Sequence, residues 1–319
     1  MDLLIAIVGP TAIGKSRLAL HLAQALDGEI VGADSRQVYR LMDIGTAKPS
    51  PEDLSLIPHH LINIINPDED FNLAQYQKLA YPAISNIQGR NKLAVLVGGS
   101  GQYIWSVLEG WGIPPAPPDP EFRYCLEAKA AREGNSGLYQ ELERVDPIAA
   151  QSIDHHNVRR VIRALEVYRS TGVPFSQLRR KNKPPFKALI IGLTVGRAEL
   201  YKKIDSRVDA MVEQGLVAEV ERLVNMGYHF GLPALSGIGY QQIGRFLKGE
   251  LNLTTAIKQI KFETHRFVRH QYTWFRLDDE RIRWFNIGDN GVDSGIIGLV
   301  TQFIRTSANE FCQASGRRE

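Results

Sequence analysis

Residues 9–16 read "GPTAIGKS": a glycine, four residues, then glycine, lysine and serine. That spacing makes a loop that wraps phosphate. Gly9 and Gly14 let backbone N–H groups converge on phosphate oxygens at a helix N-terminus, with Pro10, Thr11, Ala12 and Ile13 between them. Lys15 supplies a point charge and Ser16 offers a hydroxyl to Mg²⁺. Thr11 adds one more donor. The flanks agree, since the apolar "MDLLIAIV" precedes the loop and the helix-like "RLALHLAQAL" follows it.

A hydrolase of nucleoside triphosphates also needs an acid at the end of a neighbouring strand, to hold magnesium and position water. The natural strand, "LAVLV", runs instead into "GGSG". The carboxylate that does stand at a strand end is Asp34, in "EIVGADSRQVY". Ligands bind at that edge of a doubly wound sheet, so Asp34 is expected near the phosphates. A helix N-cap is the other reading of "ADSRQ". The loop is thus expected to hold a diphosphate or triphosphate without the full equipment for hydrolysis.

Two stretches suit a polyanion. From His155 to Lys187 there are nine Lys or Arg against one acid, Glu166, in a chain of formal net charge +3. Asn157 is placed to cap the helix "VRRVIRALEVYRSTG" and Gly172 to end it. Val158, Val161, Ile162 and Leu165 then form its buried stripe, while Arg159, Arg163 and Glu166 share another face with Arg160 beside them. A solvated face is the ordinary source of such charge; the excess of one sign favours nucleic acid. The second stretch, "KFETHRFVRHQYTWFR" (261–276), interleaves Lys261, Arg266, Arg269 and Arg276 with Phe267, Tyr272, Trp274 and Phe275. Such a mixture suits stacked bases and phosphates, and aromatics at helical spacing equally suit a core.

The elements that must position these groups are legible in outline. "LLIAIVG", "EIVGADS", "KLAVLVGGSG", "KALIIGLTV" and "RIRWFNI" are short apolar runs ending in small or polar residues, the mark of buried parallel strands. Helical stretches lie between them at 16–26, 73–88 and 197–215. The expected fold is α/β, a P-loop-type doubly wound parallel sheet. The alternation breaks between two proline-rich segments, "GIPPAPPDP" and "KNKPPF". Residues 114–186 therefore read as an inserted all-helical lobe, and 1–113 with 187–319 as the catalytic core. With 319 residues, 44% hydrophobic, the chain can bury one large core or a core and a smaller lobe. Its two cysteines, Cys125 and Cys312, exclude a disulfide framework. No apolar run reaches the roughly 18–20 residues that span a bilayer. A cytoplasmic protein without membrane contact is expected, and a monomer.

Seven motifs in order, "GPTAIGKS", "ADSRQVY", "MDIGTAKP", "LVGGSGQYI", "NVRRVIRALEVY", "GIGYQQ" and "HRFVRHQYTWFR", resemble the bacterial tRNA dimethylallyltransferases over nearly the whole length. That family transfers a prenyl group from dimethylallyl diphosphate to N6 of the adenosine 3′ of the anticodon. The resemblance implies that residues 9–16 grip the donor's diphosphate, Thr11 to Ser16 most closely. It implies that Asp34 is the general base and that Asp34, Ser35, Arg36 and Gln37 border the target adenosine. Ser100, often threonine in relatives, would contact the transferring group, and Arg123 would reach into the same channel. Arg159, Arg160, Val161, Ile162 and Arg163 match a tRNA-contacting segment. The late motif departs from the family, which often reads lysine-arginine where this chain has Arg269 and His270, so one positive charge is lost.

Three rivals stay open on sequence. A prenyltransferase acting on AMP or ATP shares the loop and the aspartate but has no need of a basic lobe. A small-molecule kinase would want the missing magnesium acid. A nucleotide-gated RNA-binding protein would yield no product.

Overall fold

Leu3–Val8 has six consecutive apolar side chains and every one is buried. A strand with apolar residues on both faces is stable only inside a parallel sheet covered by helices on each side, and this strand, β1, lies near the middle of one. The chain continues through α1 (Lys15–Ala25), β2 (Gly28–Gly32), α2 (Pro51–Leu56), β3 (His59–His60), α3 (Leu73–Gly89), β4 (Leu93–Val97) and α4 (Gly101–Leu108). Five helices follow, α5 (Pro120–Glu133), α6 (Ser136–Val145), α7 (Pro147–Ser152), α8 (Val158–Thr171) and α9 (Phe175–Leu178). Then come β5 (Lys187–Thr194), α10 (Arg197–Glu213), α11 (Leu216–Asn225), a 3₁₀ turn (Ala234–Ser236), α12 (Tyr240–Leu247), α13 (Leu253–Trp274), β6 (Ile282–Asn286) and α14 (Val292–Ser315). This computed structural model describes residues 2–114, 116–178 and 180–315, without the side chains of 311–315. Arg179, counted above among the basic residues, and the Cys312 side chain lie outside the described residues.

The six strands are all parallel, in the order β3-β2-β4-β1-β5-β6. The five strands expected from sequence are present; β3, two residues at the sheet edge, has no sequence signature. The order decides where the chemistry sits. β4 lies between β1 and β2, so the loops leaving their C-terminal ends are neighbours: the phosphate loop, "GGSG" and the Asp34 turn. Small residues after β4 are a packing requirement. A Cβ on Gly98 would stand 2.0 Å from the Ala33 carbonyl oxygen, and Ala33 N–H donates to Val97 O at 2.7 Å.

The chain divides into two compact units, residues 1–108 with 185–319, and residues 109–184. The second is helical, with one isolated antiparallel bridge between Trp111 and Lys181. Its core joins Leu126, Leu138, Leu142, Ala149, Ile153, Val161, Ile162 and Leu165. Asn157 caps α8 by accepting from Arg160 N–H, and Gly172 ends it in the left-handed region at φ 68°. Among the described residues no helix is long and apolar enough to cross a membrane.

Candidate active site

The phosphate loop leaves β1 and feeds α1, whose N-cap is Gly14 at φ 99°, a conformation that favours glycine. Gly9, Pro10 and Ile13 are buried and frame the loop, while Thr11, Ala12, Gly14, Lys15 and Ser16 border a cavity of about 320 Å³. Lys15 Nζ donates to the Pro10 carbonyl at 2.7 Å. Burial and the nearby Arg207 charge push the Lys15 ammonium down to about 7, with Asp34 opposing them. An anion in this cavity would favour the charged lysine.

Asp34 follows β2. No helix begins there; residues 35–38 form turns, and Asp34 Oδ1 accepts from Arg36 N–H at 2.8 Å. The N-cap reading thus gives way to an Asx-type turn that fixes the carboxylate. Ser100 Oγ accepts from Ser35 N–H at 2.9 Å and donates to Ser35 Oγ at 3.2 Å, which ties the Asp34 turn to the loop after β4. Asp34, Ser35, Arg36 and Ser100 line a second cavity, of about 310 Å³. Much of its wall is apolar, from Ile204, Val208, Met211, Leu216, Ile238 and Phe267. Thr11, Ala12, Asp34, Gly99 and Arg207 border both cavities. Asp34 therefore stands where a polar cavity lined by Lys15 and Arg207 meets an apolar one.

Two expected RNA contacts are spoken for. Arg36 directs its guanidinium to the carbonyls of Pro233 and Ala234 and to Ser236 Oγ. Gln37 Nε2 donates to Thr46 O and Ala47 O, both at 3.1 Å. They brace the pocket wall instead of presenting all their donors to solvent.

The "MDIGTAKP" loop, to which no role was assigned from sequence, is built around a buried carboxylate. Glu219 on α11 accepts from the N–H groups of Asp43, Ile44 and Gly45 at 2.8–3.0 Å and from the Tyr240 hydroxyl at 2.6 Å. The Tyr240 phenol is pushed up, by burial first and by Glu219 next. Lys48 closes the loop from inside, donating to Tyr39 O and to the side chains of Asp43 and Asn63. Gly45 and Thr46 on this loop line the apolar cavity. Glu219→Ala strands three amides and a phenol without an acceptor. It is expected to cost about 3 kcal/mol or more of stability in denaturant unfolding, against about 1 kcal/mol for Tyr240→Phe. Equal losses would show that Glu219 does not organise the loop.

Arg207 was not identified from sequence. On α10 it stands between Asp205 and Asp209, three residues after the buried Ile204 and beside the buried Val208. In the fold it borders both cavities, and its Nη1 donates to Thr11 Oγ1 at 3.3 Å. Burial pulls its guanidinium down from the ordinary value while Asp34 opposes that. The helix is oriented by contacts two residues either side: Asp205 meets His265 Nε2 at 2.9 Å and Asp209 meets Lys261 at 2.7 Å. His265 also stacks on Tyr201, centroids 4.0 Å apart.

The stretch 261–276 divides between surface and core. Phe275 is buried, Trp105 Nε1 donates to Trp274 O, and Tyr272 shares a hydrogen bond with Thr194. Phe262, Arg266, Phe267, Arg269 and His270 are exposed.

In the second unit, two sequence expectations are corrected. Glu166 does not share an exposed face with the arginines. It is 1% exposed, accepting from Arg123 Nε and Nη2 at 2.7 and 2.9 Å, from Arg163 Nη1 and from Asp119 N–H. Arg123, expected to reach a reaction channel, is thus engaged in a two-pronged ion pair that raises its guanidinium and lowers Glu166. Val161 and Ile162, set within an RNA-contacting run by the resemblance, are core residues at 1% and 2% exposure, as their place in the helix's apolar stripe predicts. Arg159 and Arg160 remain as the exposed cations of that run.

Comparison with known proteins places these features. Residues 37–278 match the family model described as IPP transferase. A tRNA dimethylallyltransferase of Dehalococcoides mccartyi is 51% identical over 307 residues, 96% of this chain and 94% of that one. The crystal structure of the full-length tRNA isopentenylpyrophosphate transferase from Bacillus halodurans is 38% identical, covers 99% of both chains and superposes with a TM-score of 0.72. A eukaryotic dimethylallyltransferase acting on tRNA, 24% identical, shares the fold at a TM-score of 0.83 over 96% of this chain and 80% of that one.

Proposed function

The chain belongs to the IPP transferase family, and from that premise we propose that it transfers a dimethylallyl group from dimethylallyl diphosphate to N6 of the adenosine 3′ of the anticodon in tRNA. The observation that carries the reading is the position of Asp34, on the border of a cationic cavity and an apolar one. The diphosphate sits at Lys15, Arg207 and the loop amides; the apolar wall takes the prenyl tail.

The adenine amine is a weak nucleophile because its lone pair is delocalised into the ring. As nitrogen attacks the allylic carbon, the C–N bond forms, the C–O bond to diphosphate breaks, and the amine proton passes to the Asp34 carboxylate. Negative charge grows on the departing diphosphate, where Lys15, Arg207 and backbone N–H groups meet it. Mg²⁺ fits the donor chemistry at the loop, because the exposed Ser16 hydroxyl bordering the polar cavity is a hard oxygen ligand. When bound, the ion supplies further positive charge to the diphosphate. The adenosine must leave its stack to reach Asp34, as targets of other base-modifying enzymes do. No water needs activating, which accounts for "GGSG" where a hydrolase carries an acid.

The direct test is incubation with dimethylallyl diphosphate, Mg²⁺ and unmodified tRNA, then nucleoside mass spectrometry, with AMP as a competing acceptor. Prenylated adenosine in tRNA is expected. Prenylation of AMP alone would favour the small-acceptor rival, and no prenylated nucleoside at all would overturn the reading.

The exposed pair Arg159 and Arg160 carries a second expectation. Arg159→Ala with Arg160→Ala should raise the KM for tRNA about tenfold and leave the donor's within twofold. The slope of log affinity against log salt should flatten by about 1–2. Equal losses for both ligands would contradict an RNA-facing role.

A further inference from the structure

We propose that Gln271 is a positioning residue that registers the phosphate loop against the Asp34 turn, holding leaving group and proton acceptor at a set separation. This rests on the transfer reaction proposed above. Gln271 lies on α13 and is 3% exposed. Its Oε1 accepts from Thr11 N–H at 2.8 Å, and its Nε2 donates to Gly99 O at 3.0 Å. The carboxamide's orientation is dictated by its partners, because a backbone N–H can only donate and a carbonyl only accept. One planar group with a donor and an acceptor at fixed spacing therefore spans the loops after β1 and β4.

The bridge continues covalently and by hydrogen bonds to the base. Gly99 is followed by Ser100, whose Oγ accepts from Ser35 N–H, the residue after Asp34. Ser100 N–H in turn donates to Ala33 O at 3.2 Å, the residue before it. Thr11 thus reaches Asp34 through Gln271, Gly99 and Ser100, and Thr11 also takes the Arg207 contact. The fit is close: a Cβ on Gly99 would lie 2.3 Å from Gln271 Nε2 and 3.9 Å from Lys15 Nζ. Because Thr11 N–H is already given to Gln271, the bridge uses that amide to hold loop to loop rather than to hold phosphate.

Two variants test this. Gln271→Leu keeps the volume and deletes both hydrogen bonds; Gln271→Asn keeps both groups but shortens the reach by one methylene. The measurements are single-turnover transfer from dimethylallyl diphosphate to unmodified tRNA, calorimetric binding of inorganic pyrophosphate, and hydrogen exchange of residues 9–16 and 98–101. Expected are a loss of about 30–100-fold in the transfer rate for leucine and at least tenfold for asparagine. Pyrophosphate affinity stays within threefold, and exchange rises in both loops while β1 and β4 stay protected. A transfer rate within threefold of wild type in Gln271→Asn overturns the proposal. So does a fall in pyrophosphate affinity that matches the fall in rate, which would make Gln271 part of anion binding. Failure of the wild-type protein to prenylate tRNA would defeat the parent reading instead, while the loop-exchange result would still report on the bridge.

Discussion

Replacing Asp34 by asparagine lowers the single-turnover rate of prenyl transfer at least 100-fold, while unmodified tRNA binds within threefold of wild type. The size follows from what a positioned general base contributes, about 10²–10⁴-fold. Asparagine isolates that contribution. Its side-chain oxygen can still accept from Arg36 N–H, as Asp34 Oδ1 does at 2.8 Å, so the turn survives and the proton acceptor is lost. Asp34→Ala removes the turn contact as well, and its further loss reads what the Arg36 N–H bond contributes to shaping the site. tRNA binding stays near wild type because most of its free energy comes from phosphate contacts elsewhere. An asparagine variant within threefold of wild type in rate would remove Asp34 as the base.

The frame of this site is legible in sequence because it is local. A buried strand announces itself as a continuous apolar run, and Leu3–Val8, Gly28–Gly32, Leu93–Val97, Lys187–Thr194 and Ile282–Asn286 all stand in runs that read as strands. The phosphate loop is equally local, its two glycines, lysine and serine lying within eight residues. What sequence does not carry is the pairing across distance. Arg207 and Thr11 are 196 positions apart, and Gln271 and Thr11 are 260 apart; no periodicity joins them.

Some of the missed residues did leave a signal, a polar side chain on an apolar stripe. Glu219 lies three residues after Leu216 and four before Leu223, inside the buried stripe of α11. Gln271 continues the buried line of Ile260 and Val268 on α13. Glu166 follows Ile162 by one helical turn. A buried polar group must be satisfied, so each such position announces a partner without saying which. Arg207 left the same mark, three residues after Ile204, beside Val208 and four before Met211 on α10. Helical spacing alone places Val161 and Ile162 correctly in the buried stripe although arginines flank them, since a helix turns 100° per residue and sends them inward. The run taken whole from the family resemblance is what sets them against RNA.

The phosphate end of the site gives the second large expectation. Arg207→Ala is expected to lower kcat/KM for dimethylallyl diphosphate about 100–1,000-fold, the range seen when one preorganised donor to a developing anion is removed. The same variant has a proton signature. Without ligand, Lys15 is pushed down to about 7 by burial and by Arg207, so at pH 8 about a tenth of it is charged. Pyrophosphate brings negative charge and favours the ammonium, so the part of proton uptake that depends on Lys15 is larger for binding at pH 8 than at pH 6. Removing Arg207 deletes a like charge, which raises the ligand-free Lys15 value and reduces the uptake at pH 8. Calorimetry in buffers of different ionisation enthalpy measures the proton number, and subtracting that of Lys15→Ala, in which only the ligand's own protons remain, isolates the lysine. A Lys15-dependent uptake that stays constant between pH 6 and 8 would show that Lys15 is charged before the anion arrives, and that Arg207 acts on the diphosphate alone.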